Sequence, residues 1–185
     1  MGKIILASKS PRRKMLLEWA EVAFEVRVNE TDETFPATLA VELVPEHIAL
    51  NKAVAINAEE DEIIIAADTI VVLDMEIIGK PRDRIDAIRI LQKLSGRTHR
   101  VITGVVIKKG AVMNSFHDIT EVAFHEITIG QIEFYVDKYK PYDKAGAYAI
   151  QEWIGVVGIK KIDGDFYNVM GLPVSRVVKI LRQLV

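Results

Sequence analysis

The chain contains no cysteine, which excludes disulfides, thiolate metal sites and cysteine nucleophiles and leaves folding independent of redox state. Aromatic residues make up only 7% of its 185 positions and the basic residues are scattered, so neither a stacking platform nor an electropositive stripe for nucleic acid is present. Charge of neither sign dominates: 24 Lys plus Arg stand against 26 Asp plus Glu, a formal net charge of −2. Long hydrophobic runs are missing as well. The apolar stretch at residues 4–7 is too short for a signal-peptide core, and no segment approaches about 18 uninterrupted apolar residues. The sequence therefore reads as a soluble, cytoplasmic protein with no nucleic-acid or membrane partner. With 50% hydrophobic residues and no repeat, linker or low-complexity tract, residues 1–185 read as one compact domain, organised as two lobes. A chain of this size buries about 70% of its unfolded surface and needs no metal or disulfide to fold.

Periodicity and punctuation place the elements. Residues 3–7 suit a buried parallel strand, and Ser10 followed by Pro11 marks the start of a helix with Met15, Leu16 and Trp19 at helical spacing. Arg12 and Arg13 then lie on its first turn, where cations oppose the helix dipole unless an anion binds. A second strand is expected over residues 22–28, then a loop with Glu30, Asp32 and Glu33. A helix from Pro45 carries Ile48, Ala49, Lys52, Ala53 and Ile56, and the acidic residues 59–62 end in solvent. Residues 62–74 are most informative: near-continuous aliphatics, then Asp68 and Thr69, then a second β-rich run from residue 70 to 73. A carboxylate in such surroundings costs several kcal/mol unless paired, protonated or bound to a cation.

Further on, residues 74–76 read as a turn and Gly79-Lys80-Pro81 as a break that holds Lys80 on a loop. Asp83 caps a helix whose apolar positions are Ala87, Ile88, Leu91 and Leu94. Residues 101–107 and 111–124 read as a long antiparallel hairpin that builds a second lobe. Thr128 caps a helix through Ile132, Phe134, Tyr135 and Val136, and residues 155–162 are expected as a strand. Pro173 opens a terminal amphipathic helix.

Several familiar constellations are absent: the P-loop, the GxGxxG turn, the GxSxG elbow and HExxH. His47, His99, His117 and His125 lack ligand spacing and read as surface or hairpin residues. What stands out is a set of phosphate-type donors and carboxylates, each placed at a break: Ser8, Ser10, Arg12, Arg13, Glu33, Lys52, Asp68 and Lys80. Singly each has a structural explanation as a cap, a solvated acid or a surface charge. Should they converge, a hard divalent cation takes the carboxylate oxygens, arginine and lysine neutralise a polyphosphate, and one carboxylate activates water.

The blocks ILASKSPRRKMLL, AADTIVV, IGKPRD, LSGRTHRVITGV, DKAGAYAIQ and GDFYNVMGLPV, in this order from residue 4 to about residue 175, resemble the Maf-type nucleoside triphosphate pyrophosphatases. The resemblance implies an α/β fold of the inosine triphosphate pyrophosphatase-like kind: a mixed, twisted sheet with flanking helices and two lobes around a cleft. It implies cleavage of a nucleoside triphosphate between its α and β phosphates, with Mg²⁺ or Mn²⁺ as cofactor. The catalytic residues it implies are Asp68 as proton acceptor with Glu33, Lys52 and Lys80, and its metal ligands are Asp68 and Glu33. Ser8, Ser10, Arg12, Arg13, Thr69 and Gln151 form the implied substrate-binding set, Ser8 and Arg13 on phosphates.

DKAGAYAIQ resembles the branch that acts on dTTP and UTP, with modified pyrimidine nucleotides as further candidates and Arg12, Thr69 and Gln151 at the selectivity positions. An amide carries both donor and acceptor and so matches the O4 and N3–H edge of thymine or uracil. The chain departs from the branch pattern at Ala149 and Ala66, where glycine is common, and at Glu152-Trp153, where smaller residues are common. A glycine at position 149 would indicate positive φ or close approach of a base, and the methyl would reshape that pocket. A homodimer is implied too. The alternative reading is a nucleotide-binding regulator of septum formation with a division-protein partner, which multiple turnover would distinguish from an enzyme.

Overall fold

A computed structural model describes residues 2–184. In chain order these form β1 (Ile4–Leu6), α1 (Pro11–Trp19), β2 (Glu25–Val26), α2 (Val44–Val54), β3 (Ile63–Leu73), β4 (Glu76–Ile78) and α3 (Arg84–Leu94). There follow β5 (Thr98–Lys109), β6 (Val112–Phe124), α4 (Ile129–Tyr139), α5 (Trp153–Gly158), β7 (Ile159–Asp163), α6 (Phe166–Met170) and α7 (Val174–Leu184). The strands hydrogen-bond in the order β2-β1-β3-β5-β6-β7, with β4 paired to β3. β1 runs parallel to both β2 and β3, whereas β4 is antiparallel to β3 and β7 to β6, so the sheet is mixed. No helix among the described residues is long and apolar enough to cross a membrane.

The chain divides into two compact units. The first holds the residues through Thr69, then Thr103–Asp118 and the segment from Gly171 onward. Its core joins Ile5 and Ala7 of the first strand segment, Ala49 and Ala53 of α2, Ile56, Ile64 and Ala66 of β3, and Val106 of β5. β1 and β3 pair through strands whose residues are buried on both faces, which is why they read as unbroken aliphatic runs. Small residues let α2 approach closely. At Gly104 on β5 an added Cβ would stand 2.2 Å from the Glu46 nitrogen, so only glycine permits the start of α2 to lie there.

The second unit is Ile70–Ile102 with Ile119–Met170. In it α3 packs against α4, burying Ala87, Ile90, Leu91 and Leu94 of one and Ile132, Tyr135 and Val136 of the other. Asp83 accepts from the Asp86 N–H at the start of α3, and Thr128 and Gln131 form a reciprocal capping box on α4.

The structure departs from the sequence reading at particular points. Residues 155–158 are helical, within α5, and the expected strand over 155–162 begins only at Ile159. A short apolar run carries no period that separates buried helix from strand. The second strand is only Glu25–Val26, and residues 63–73 form one continuous strand through Asp68 and Thr69. The long hairpin strands do not belong to a second lobe alone: residues 103–118 fall in the first unit and the outer parts of β5 and β6 in the second. Trp19 is 61% exposed and Phe134 43%, although both lie at helical spacing. Glu62 does not face solvent. It is buried and receives a bidentate pair from Arg27 at 2.8 and 2.9 Å, which holds its carboxyl down at about 2.

Candidate functional site

In the first unit, β1 delivers the chain to Ser8, and the turn into α1 is fixed by two local bonds. The Ser10 N–H donates to Ser8 Oγ at 3.2 Å, and the Arg13 N–H donates to Ser10 Oγ at 3.4 Å, so Ser10 is the helix cap that its sequence position suggests. Pro11 occupies the first turn without an orphaned N–H.

Arg13 is not a solvated surface cation. It is buried, and its guanidinium donates through Nε to Gly171 O at 2.8 Å, through Nη1 to Ser8 Oγ at 3.1 Å and through Nη2 to Thr69 Oγ1 at 3.0 Å. Thr69 Oγ1 also lies 2.9 Å from Thr103 Oγ1 on β5. Burial pushes the guanidinium below its ordinary range, while Asp68 opposes that shift, Arg12 reinforces it and Glu33 opposes it. Arg12 is half-buried on the same turn.

The acidic and basic candidates converge on a single ammonium. Lys52 of α2 places Nζ 2.7 Å from Asp68 Oδ1 and 2.7 Å from Glu33 Oε1. Asp68 and Lys52 are largely enclosed, with 15% and 18% of their side chains exposed, whereas Glu33 comes from the exposed segment after β2 with 53%. Asp68 thus escapes the cost of an isolated buried carboxylate by pairing. The alternation of β3 puts Asp68 and Thr69 on opposite faces, one toward Lys52 and the other toward Arg13.

The remaining predicted residues belong to the second unit. Lys80 is exposed, just after β4, on a loop whose Gly79 carbonyl accepts the Gly146 N–H at 3.1 Å. Gln151 is exposed at the third position of a turn closed by the Glu152 N–H and Ala149 O at 3.1 Å. Gly146 has φ +71°, and a Cβ there would meet the Val71 side chain at 3.0 Å, so the AGA segment tolerates no larger residue at that point. Ala149 has no positive φ; the left-handed non-glycine residue of this loop is Ala147 at +58°, so a glycine at 149 would not be demanded by the backbone. His99 is in the hairpin, on β5, but it is buried at 2% exposure beside Tyr148 and Phe124.

Thr103 and Gly171, which lie within the LSGRTHRVITGV and GDFYNVMGLPV blocks, join the site as partners of Thr69 and Arg13. Their roles are hydrogen-bonding supports, which carry no charge signature.

The donor set suits a hard cation. Among the described residues no three His, Asp or Glu side chains cluster as a preformed metal cage. Two carboxylates that already converge on one cationic nitrogen, each with a second oxygen, match instead the demand of Mg²⁺ for one or two protein carboxylates plus phosphate oxygens and water. The arrangement can bind an anion beside Ser8, Arg12 and Arg13 and present Asp68 to a water molecule.

The chain matches the Maf-like protein family over residues 3–184. It is 50% identical over 182 residues to a dTTP/UTP pyrophosphatase of Cytophaga hutchinsonii, covering 98% of this chain and 84% of the relative. A dTTP/UTP pyrophosphatase of Phocaeicola vulgatus is 49% identical over 185 residues, covering 98% and 96% of the two chains. Among solved structures, a HAM1 protein from Coxiella burnetii superposes with a TM-score of 0.56 at 14% identity, covering 99% of this chain and 100% of that one, and so shares the fold.

Proposed function

The chain belongs to the Maf family, and from that premise we propose that it hydrolyses dTTP and UTP to the nucleoside monophosphate and pyrophosphate. The observation that carries the assignment of the chemistry is the convergence of Asp68 and Glu33 on Lys52, in the same unit as the buried Arg13 fork. Water attacks the α-phosphorus, the bond from that phosphorus to the α,β-bridging oxygen breaks, and the electron pair leaves on pyrophosphate.

Asp68 orients this water and takes its proton. Lys52 fixes the Asp68 carboxylate at 2.7 Å and counters charge that develops on the phosphate oxygens. Ser8 and Arg13 hold the phosphates at the start of α1, beside Ser10 and Arg12 of the same substrate-binding set, where the helix dipole also favours an anion. Lys80 neutralises the departing pyrophosphate, and Thr69, with Arg12 and Gln151, serves base selection. Glu33 and Asp68 are the residues that would hold a divalent cation such as Mg²⁺ or Mn²⁺. Bound, such an ion supplies Lewis-acid polarisation of phosphate and lowers the pKa of water. The same reading places the enzyme among cytoplasmic nucleotides as a homodimer, a state that sedimentation of the purified chain checks.

Pyrophosphate release measured across dTTP, UTP, CTP, GTP, ATP and methylated nucleotides tests the proposal, with and without a chelator, beside Asp68→Asn. The wild type releases pyrophosphate from dTTP and UTP in preference to the others and loses this on chelation. The variant, which keeps size and one acceptor oxygen, turns over at least about 100-fold more slowly, the usual contribution of a positioned base. Full turnover by the variant removes Asp68 from the role of base.

A further inference from the structure

Tyr135 is fully buried on α4, and its ring stacks on Tyr139 with centroids 5.0 Å apart. Its hydroxyl does two things at once: it accepts the Ala149 N–H at 3.1 Å and donates to Glu152 Oε2. Residues 149 and 152 are the first and last of the turn that carries Gln151. One phenol oxygen therefore ties down both ends of that turn, with the exposed Gln151 between them. Lys144, itself buried, lies 3.7 Å from Glu152 Oε1 and holds the same carboxylate from another side.

The next residue repeats the pattern. Trp153 meets Phe134, the neighbour of Tyr135 on α4, edge to face at 4.8 Å between centroids. Glu152 and Trp153, the pair at which the chain departs from its branch pattern, are thus both anchors onto consecutive residues of one helix. A side chain amide at the tip of an unsupported turn samples both orientations, presenting donor or acceptor with equal ease. Clamping the turn limits the orientations that its backbone allows, which is how residues behind a site set its specificity.

We propose that Tyr135 is the positioning residue for base selection, its hydroxyl, shared between Ala149 and Glu152, fixing Gln151 so that the amide donates to O4 and accepts from N3–H of a uracil or thymine ring. This rests on the reading above that Gln151 meets the base. Cytosine tests it most cleanly, because it keeps the ring size of uracil and exchanges the acceptor at position 4 and the donor at position 3 for the opposite pair. A fixed amide rejects cytosine; a mobile one rotates and accepts it.

The experiment compares kcat/KM for UTP and CTP in the wild type, Tyr135→Phe, Glu152→Ala, Glu152→Gln and Gln151→Ala. Tyr135→Phe keeps the buried ring and removes the hydroxyl, and the UTP to CTP ratio falls about 3- to 10-fold, the equivalent of one net hydrogen bond. The loss is carried by a raised KM for UTP, with kcat nearly retained, as expected when only binding orientation is disturbed. Glu152→Ala lowers the ratio in the same way, whereas Glu152→Gln, whose amide oxygen still accepts the phenol proton, restores it. This rescue separates positioning from packing and keeps the test open should Tyr135→Phe fold poorly. A wild-type ratio in Glu152→Ala, or in folded Tyr135→Phe, while Gln151→Ala loses selectivity, overturns the positioning role alone. An unchanged ratio in Gln151→Ala overturns the reading of the base contact and this proposal with it.

Discussion

At the scale of single residues, Arg13 shows why one basic side chain cannot stand in for another. Its planar fork reaches three acceptors on three separate segments, Ser8 after β1, Thr69 on β3 and the Gly171 carbonyl before α7. An ammonium on a flexible stem offers three protons from a single point and cannot span that set. Arg13→Lys keeps the charge and leaves at least one buried partner unsatisfied, at about 1–3 kcal/mol. In urea the midpoint of unfolding falls with the slope unchanged, and turnover of dTTP falls with it as the turn proposed to hold phosphate loosens. Wild-type stability together with wild-type turnover in that variant would mean that Arg13 acts only through its charge. Lys52, in the same unit, works by the opposite logic. A point charge serves two carboxylate oxygens at equal distance, which needs no fork.

At the scale of elements, the placement of Lys52 depends on a contact far from it in the chain. The first residue of α2 has no side-chain cap before it, and what locates this end of the helix is its close approach to Gly104 on β5. An added methyl at position 104 would stand 2.2 Å from the Glu46 nitrogen and 2.3 Å from the Pro45 carbonyl carbon, both backbone atoms that cannot turn aside. The helix must move. Gly104→Ala destabilises the protein by about 3 kcal/mol, at the upper end for overpacking, and shifts the element that presents Lys52 to Asp68. Thermal unfolding and pyrophosphate release report the two consequences separately. A variant with lowered melting but undiminished turnover at low temperature would show that α2 recovers its position, and that the Gly104 contact serves stability alone.

At the scale of the whole molecule, legibility followed punctuation. α1, α3 and α4 announce themselves through Ser10, Asp83 and Thr128, and each of these caps is made in the structure. α5 has no such signal, since Glu152 makes no side-chain cap, and its apolar residues were indistinguishable from the start of β7. In the site, charged residues at chain breaks were legible because charge in or near a core demands an explanation. Thr103, Gly171 and Tyr135 were not, because a hydroxyl or carbonyl shows no charge in the sequence and gains its partner only when the fold brings one to it. His99 belongs with them. Its Nε2 lies 2.7 Å from the Tyr148 hydroxyl, its Nδ1 is buried with no partner among the described residues, and burial pushes its pKa from the ordinary 6.5 down to about 4. Above pH 6.5 the ring is neutral in folded and unfolded chains alike, and no linkage arises. Between 6.5 and 4 the unfolded chain binds a proton that the folded one refuses, so folding stability falls as the pH falls through that window, by about 3 kcal/mol in total. Below 4 both forms are protonated at this site and its contribution no longer changes with pH. His99→Gln, which keeps a polar group beside Tyr148 but cannot titrate, loses less stability across the same window. Urea midpoints taken from pH 8 to pH 4 give the difference directly. Parallel curves for the two proteins would mean that His99 takes up its proton in the folded state near the ordinary 6.5, and that its burial is relieved by water or by opening of the loop that carries Tyr148.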